Sequence, residues 1–302
     1  MKTLSAKPDE LPRSDENTTH GDDAVDQNRT EVKAVRSVMK FHLPIIVYHC
    51  IDHYGTSMSV TPSIFEQQIR YLAEHGWSSI GLSQVGEMVR EGQKPARKSV
   101  VLTFDDAMSS VLEYADPILR NYGMAGTTFV VTGQVGRNPE WYRLHPRYRA
   151  IPLLSRRGLD CLAEHGWEMH PHTHEHPVLT HLPVDVQVEQ ISKSRECIRS
   201  WFGTAGDVLA YPFGQCDDST SEAMRQSDMS IGLTLRFSVR MSTDNYFDWP
   251  RIGSAWFKQS KLRQGLALCG ILESYVKLRQ KIRGDRSRFF LDPTDETKRG
   301  LG

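Results

Sequence analysis

The chain has 302 residues, of which 39% are hydrophobic and 25% are charged, so it can bury a substantial core in one large domain or two small ones. Lys and Arg together number 37, as do Asp and Glu, and this balance gives no electrostatic case for nucleic acid as a partner. No stretch reaches the ~18 consecutive apolar residues that a membrane-spanning helix needs.

The two ends of the chain differ in composition from its middle. Residues 1–36 are polar and carry both charges, which predicts a disordered tail. They also lack the ~7–15-residue apolar region that a secretion signal needs. Residues 285–302 are a second predicted tail, so the predicted domain spans 37–284. The five cysteines are scattered and none forms a C-x-x-C pair. A reducing, cytoplasmic location is therefore expected.

Strand and helix patterns alternate along the predicted domain. A helix is predicted to begin at Pro62, with Thr61 as its N-cap, and to end at Gly76. The predicted strands span 44–48, 99–104, 127–131, 167–169, 207–211 and 231–235. The other predicted helices span 108–122, 154–165, 184–202, 218–227 and 258–283. Repeated strand–helix units predict an α/β fold with a parallel sheet.

The motifs that carry chemistry each follow one of these strands directly. They are Tyr48-His49, Asp105-Asp106, the loop at 170–177 and Pro212-Phe213. In α/β barrels the C-terminal ends of the strands build the site. Four motifs in this position therefore indicate one common site.

The loop that begins at His170 holds four histidines within seven residues. Neutral imidazole is the commonest protein ligand for a metal such as Zn²⁺, although an H-x₃-H pair alone is a weak signal. Asp105 and Asp106 strengthen the signal, because a catalytic zinc site can combine two histidines with a carboxylate and keep one position open for water. A further carboxylate beside the metal can act as a base. By itself, an Asp-Asp pair is more typical of a helix N-cap followed by a first-turn acid.

Three motifs, in this order, resemble those of the polysaccharide deacetylases, carbohydrate esterase family 4. They are Thr103-Phe104-Asp105-Asp106, His172-Thr173-x-x-His176-Pro177 and Tyr211-Pro212-Phe213-Gly214. The resemblance covers residues 43–252. The early Tyr48-His49 resembles the circularly permuted branch of bacterial exopolysaccharide deacetylases, in which a histidine motif usually found near the C-terminus comes first. The resemblance implies an irregular (β/α) barrel of about seven units.

The resemblance also implies a metal site. It assigns the metal to Asp106, His172 and His176, and the role of general base to Asp105. Zn²⁺ is the expected ion, with Co²⁺ or Ni²⁺ as alternatives. His174 is an alternative ligand to His172, because it lies in the same loop.

Further roles follow from the same resemblance. His49 resembles the general acid that protonates the leaving amine, and its alternative is a histidine satisfied within the core. The backbone N–H of Phe213 is expected to stabilise an oxyanion, whereas the alternative is a plain turn at the end of a strand. Tyr211 and Pro212 are the expected substrate contacts.

The chain departs from the family pattern near the expected base. Ala107 replaces the glycine that usually follows the two aspartates. Ala210 stands where many members have an arginine that orients the base, as is common in this branch. Arg251, in Trp249-Pro250-Arg251-Ile252, resembles the Pro-Arg-Ile segment of the branch and is predicted to orient Asp105 instead. Its alternative is a surface arginine.

The predicted function is metal-dependent hydrolysis of N-acetyl groups on amino sugars. The expected substrate is an acetylated amino-sugar glycan or a lipid-linked precursor. The alternatives are a catalytically silent metal-binding scaffold in polysaccharide assembly and an amidohydrolase that acts on a non-sugar amide. Asp105 and His49 argue against a scaffold, which needs neither base nor acid. The basic amphipathic helix at 258–283 is an expected site of peripheral membrane contact, with a packing helix as the alternative.

Overall fold

The computed structural model of the protein describes residues 38–53, 59–142, 146–257, 261–271 and 273. The strands within them are β1 (Lys40–His42), β2 (Ile45–Tyr48), β3 (Cys50–Ile51), β4 (Ser59–Val60), β5 (Ser78–Ser79), β6 (Ser99–Phe104), β7 (Thr127–Val130), β8 (Glu168–Pro171), β9 (Val208–Ala210), β10 (Ile231–Leu233), β11 (Arg240–Ser242) and β12 (Ile252–Gly253). The helices are α1 (Pro62–Glu74), α2 (Leu82–Arg90), α3 (Asp116–Asn121), α4 (Pro146–Arg149), α5 (Arg156–Glu164), α6 (Val184–Phe202), α7 (Asp218–Gln226) and α8 (Lys261–Leu268). The predicted tails at 1–36 and 285–302 and most of the predicted helix at 258–283 lie outside these residues.

The main sheet is parallel and runs in the order β12-β2-β6-β7-β8, with β5 beside the start of β6. β9 and β10 form a separate parallel pair, and a single parallel bridge joins Leu233 to Trp249, just before β12. The α/β class with a parallel sheet is thus confirmed. The ladders among the described strands do not close into a ring, so the predicted barrel of about seven units is not confirmed.

Side chains alternate between two apolar clusters along the central strands. Ile46 and Leu102 belong to the cluster that includes residues of α1 and α5, whereas Ile45 and Val101 belong to the other cluster, with Phe129 and residues of α2. This period of two is the expected consequence of strand geometry. Full burial of each such side chain contributes about 1.5–3 kcal/mol. The two clusters therefore fix the register of β2 against β6, and with it the ends of both strands.

Several local predictions are confirmed. Thr61 caps α1, its hydroxyl accepting the N–H of Ile64 at 3.3 Å, and Pro62 is the first helical residue. The long helix α6 has the predicted bounds of 184–202 and ends at Gly203, whose φ of 68° is in the left-handed region that favours glycine. Within the described residues, no helix is both long enough and apolar enough to cross a membrane.

Other predictions were wrong in their details. The strand predicted at 167–169 runs on to Pro171, because β7 continues alongside and pairs Phe129 with His170. The predicted helix at 108–122 takes wide π-helical turns over Val111–Ala115 before α3, just ahead of Pro117, which has no N–H to donate to the preceding turn. α2 was missed, since its N-cap is Gly81 and no side chain caps it.

Candidate active site

The ends of four strands bring the predicted motifs together, as expected. β2 and β6 end side by side, and the N–H of Asp105 donates to the carbonyl of Tyr48 at 2.9 Å. β8 lies beyond β7, and the N–H of His172 donates to the carbonyl of Val130 at 2.9 Å. The 3-10 turn Pro212–Gly214 follows β9. All four motifs therefore lie at the carboxyl edge of parallel strands.

Asp106, His172 and His176 converge in the interior. Oδ1 of Asp106 lies 3.5 Å from Nε2 of His172 and 3.3 Å from Nε2 of His176. One ligand atom from each of the three residues lies within 4.8 Å of the other two, and all three side chains are buried. This spacing suits three ligands of one ion rather than three separate hydrogen bonds.

The donor set of this cluster fits a divalent metal. Oδ1 of Asp106 is a buried oxygen for which the described residues offer no hydrogen-bond donor, and a cation would satisfy it. Nδ1 of His172 lies 2.7 Å from the carbonyl of Ala210, an acceptor that leaves Nε2 free of its proton and aimed at Asp106. Burial lowers the pKa of His172 to about 4, so the ring is neutral near pH 7, as a ligand must be. The residues therefore fit Zn²⁺ or a similar ion.

The backbone around the cluster is wound into left-handed conformations. The φ values are 69° at Asp106, 56° at Ala107, 65° at Thr173, 60° at His176 and 59° at Phe213. Each costs a residue with a Cβ about 1–2 kcal/mol. The strand has ended before Asp106, which is how two adjacent aspartates both reach the site. At Ala107 the positive φ explains the glycine of the family pattern, because glycine adopts it without strain.

Arg251 holds Asp105 by two hydrogen bonds to its carboxylate. Its Nη1 and Nη2 donate to Oδ1 and Oδ2 of Asp105 at 2.6 and 2.8 Å, and its Nε donates to the carbonyl of Thr234 at 3.0 Å. The side chain is completely buried, so the alternative of a surface arginine is wrong. Burial acts to raise the pKa of Asp105, but the Arg251 guanidinium and nearby histidines outweigh it and hold this pKa below its usual value.

His49 faces the same carboxylate. Its Nε2 lies 4.0 Å from Oδ2 of Asp105, and 12% of its side chain is exposed. Burial lowers the pKa of His49, against the attraction of Asp105 and Asp106. The ring therefore lies beside Asp105 and is partly open to solvent, which suits a proton donor.

The segment after β9 contributes in a different way from that predicted. The ring of Phe213 meets His176 edge-on at 4.9 Å, and Pro212 is buried in the same turn. Tyr211, however, packs with Leu179 in the apolar cluster of α6 and α7, and its hydroxyl donates to the carbonyl of Phe247 at 2.9 Å. Its side chain is thus used for packing rather than for the predicted substrate contact, whereas the contact predicted for Pro212 stays a prediction.

The two other histidines of the loop lie outside the cluster. Nε2 of His170 is 3.4 Å from both Glu168 and Ser83, because this residue belongs to β8. Nδ1 of His174 is 3.0 Å from the hydroxyl of Thr132. The alternative of His174 as a ligand in place of His172 is therefore not what the structure shows.

Two aromatic residues at the site were missed. The ring of Trp141 stacks on His176 at 4.2 Å and 17°, and the hydroxyl of Tyr142 donates to Oδ2 of Asp106 at 2.6 Å. Burial, and then the charge of Asp106, raise the pKa of Tyr142 well above its ordinary value, so the phenol stays protonated. In the sequence they stand out only as an adjacent aromatic pair within a long connection. No neighbouring motif indicates that such a pair lies at a functional site.

The sequence is similar to those of known deacetylases. Residues 92–232 match the polysaccharide deacetylase family model. The chain is 28% identical over 198 residues to the poly-beta-1,6-N-acetyl-D-glucosamine N-deacetylase of Staphylococcus epidermidis, covering 62% of this chain and 65% of that protein. The chain therefore spans less than two thirds of the length of this relative.

Solved structures show the same fold. The deacetylase PplD of Streptococcus pyogenes, in complex with acetate, aligns with a TM-score of 0.62 at 24% identity and covers 71% of this chain and 93% of its own. IcaB from Ammonifex degensii aligns with a TM-score of 0.63 at 22% identity, and the alignment covers 75% of this chain and 95% of IcaB.

The chain thus has the α/β fold of these solved deacetylases, and Asp106, His172 and His176 form a candidate metal site in it. The match to the polysaccharide deacetylase family model over residues 92–232 confirms the resemblance recognised from the sequence motifs.

Proposed function

We propose that the protein is a metal-dependent deacetylase that hydrolyses N-acetyl groups of amino sugars in a polysaccharide. The observation that carries this proposal is the buried Asp106–His172–His176 cluster with a second carboxylate, Asp105, held beside it by Arg251. A divalent ion, Zn²⁺ in the first instance, would be held by the three residues of the cluster. When bound, it would supply Lewis acidity and lower the pKa of a water molecule toward ~7.

Asp105 is the proposed general base. Its carboxylate is fixed by two hydrogen bonds from Arg251, so that its orientation costs nothing at the moment of reaction. It takes a proton from the water as that water adds to the acetamide carbonyl and forms the new C–O bond; the C–N bond breaks afterwards, when the amine is protonated and leaves. A silent scaffold has no use for a buried, fully paired carboxylate next to its metal, because burying such a pair costs free energy.

His49 is the proposed general acid. Its Nε2 lies 4.0 Å from Oδ2 of Asp105 and its ring keeps contact with solvent, and it gives its proton to the departing amine. The backbone N–H of Phe213, at a turn with positive φ beside His176, is the proposed donor to the oxyanion that develops on the acetyl oxygen.

The substrate class is proposed from the relatives. The staphylococcal relative is a poly-beta-1,6-N-acetyl-D-glucosamine N-deacetylase, and an acetylated amino-sugar polymer is the substrate we propose here. A lipid-linked precursor, contact with a membrane through residues 258–283 and a cytoplasmic location remain predictions from sequence. The same holds for closure of the strands into a barrel, for which the bridge between Leu233 and Trp249 is the supporting contact.

Acetate release from a panel of acylated amides tests the proposal. Oligomers of β-1,6- and β-1,4-linked N-acetylglucosamine and a simple non-sugar acetamide would be incubated with protein loaded with Zn²⁺, with and without a chelator. We expect acetate from the sugar oligomers only, and none after chelation. Release from the non-sugar amide alone would indicate an amidohydrolase, and no release from any substrate by zinc-loaded protein would support the scaffold.

A further inference from the structure

The 3-10 turn Glu140–Tyr142 lies against two of the three candidate ligands. Tyr142 and Asp106 are both buried, and their hydrogen bond is 2.6 Å long. A phenol that donates to a carboxylate at this distance forms a charge-assisted bond, which is stronger than a bond between neutral groups. The neighbouring Trp141 stacks on His176. This turn comes from a connection that none of the recognised motifs includes.

Because of the hydrogen bond from Tyr142, the two oxygens of Asp106 have different partners. Oδ2 is occupied by the phenol, whereas Oδ1 faces Nε2 of His172 and Nε2 of His176. Rotation of the carboxylate about its last bond would break the hydrogen bond and leave a buried hydroxyl unpaired, which costs about 1–3 kcal/mol. The carboxylate is thereby held with one oxygen toward the two imidazoles.

Two of the candidate ligands, His172 and Asp106, are each held by a hydrogen bond to the atom that points away from the centre of the cluster. Nδ1 of His172 is paired with the carbonyl of Ala210, and Oδ2 of Asp106 with the hydroxyl of Tyr142. Groups that hold a ligand from behind set its direction, and their loss typically lowers metal affinity about 10–100-fold.

We infer that Tyr142 is a positioning residue that keeps Asp106 as a single-oxygen metal ligand, so that the affinity of the centre for its metal depends on the Tyr142 hydroxyl. The inference rests on the proposed function in one respect, that Asp106, His172 and His176 bind the metal. It does not depend on the substrate.

The test is the zinc affinity of Tyr142→Phe, measured by competition with a chromophoric chelator in the absence of substrate. The matched control is Tyr48→Phe, which removes another buried hydroxyl, one that donates to Oε1 of Gln68 at 2.9 Å. We expect Tyr142→Phe to bind zinc about 10–100-fold more weakly and Tyr48→Phe to bind it within about 2-fold of the wild type. Thermal unfolding of both variants without metal checks that each remains folded.

A double-mutant cycle shows whether Tyr142 acts through Asp106. In the background of Asp106→Ala, the change of Tyr142 to Phe should alter zinc affinity by less than about 2-fold, because the two effects couple only through their contact. Wild-type affinity in Tyr142→Phe, or equal losses in both backgrounds, would overturn the inference and leave the proposed function standing. A wild-type protein that takes up no zinc would overturn both.

Discussion

The guanidinium of Arg251 and the carboxylate of Asp105 form a two-pronged ion pair, with N–O distances of 2.6 and 2.8 Å, although 146 residues separate them along the chain. Arg251 also donates to the carbonyl of Thr234, and its guanidinium lies 5.8 Å from the centre of the Phe129 ring. A buried guanidinium that makes two parallel hydrogen bonds to a carboxylate orients it more tightly than a lysine ammonium can.

Replacing Arg251 by Met should shift the acid limb of the pH–rate profile upward. In the wild type the guanidinium holds the pKa of Asp105 below its usual value, so the base stays ionised down to low pH. Without it, burial dominates and the pKa rises, so activity is lost at a higher pH as the solution is acidified. We also expect about 10²-fold lower activity near neutrality, since the base is no longer oriented.

The same variant should be less stable, because it leaves a buried carboxylate unpaired. Removal of one partner of a buried pair typically costs about 3–5 kcal/mol, measurable by urea denaturation at neutral pH. Arg251→Lys serves as the comparison, because lysine retains the positive charge but cannot make the two parallel hydrogen bonds. An unchanged acid limb in Arg251→Met would show that Arg251 does not control Asp105.

Removal of the metal should abolish activity, and Zn²⁺ or Co²⁺ should restore it. His172→Ala and His176→Ala should each lose stoichiometric metal, measured by elemental analysis after equilibrium dialysis, because each removes one of three ligands. His174→Ala is the control from the same loop, since its ring lies against Thr132. Full occupancy in the variants of His172 and His176 would remove them from the metal site.

The adjacent aspartates should respond differently to the same change. Asp105→Asn should keep the metal and lose about 10²–10⁴-fold in rate, as expected for a missing general base. Asp106→Asn should weaken metal binding, because a neutral amide oxygen replaces the carboxylate between the two imidazoles. Metal content and rate would be measured on the same preparations. Indistinguishable behaviour of the two variants would rule out separate roles.

His49→Ala should separate amides from activated esters. An amine needs a proton to depart, so loss of the acid should reduce turnover of an acetamide by about 10²–10⁴-fold. An acetyl ester with a good leaving group departs without protonation and should lose much less. Metal content should stay at the wild-type level, since His49 is outside the cluster of three. Equal losses on both substrates would point to a structural histidine.

The sequence by itself determined the local features of this protein. The α/β class, the cap of α1 at Thr61 and the bounds of α6 follow from hydrophobic period and capping chemistry, which act within a few residues. The order of strand and motif likewise predicted one site, since parallel strands present their carboxyl ends at one edge. Asp106, His172 and His176 came from motifs compact enough to be recognised without a structure.

Tertiary structure alone decided how these residues are held. Three sets of hydrogen bonds join distant parts of the chain: those from Arg251 to Asp105, from Tyr142 to Asp106, and from His172 to the carbonyl of Ala210. No local pattern encodes such contacts, because they depend on how buried elements pack. The same packing places the ring of Tyr211 in the apolar cluster of α6 and α7, where it contributes buried apolar surface.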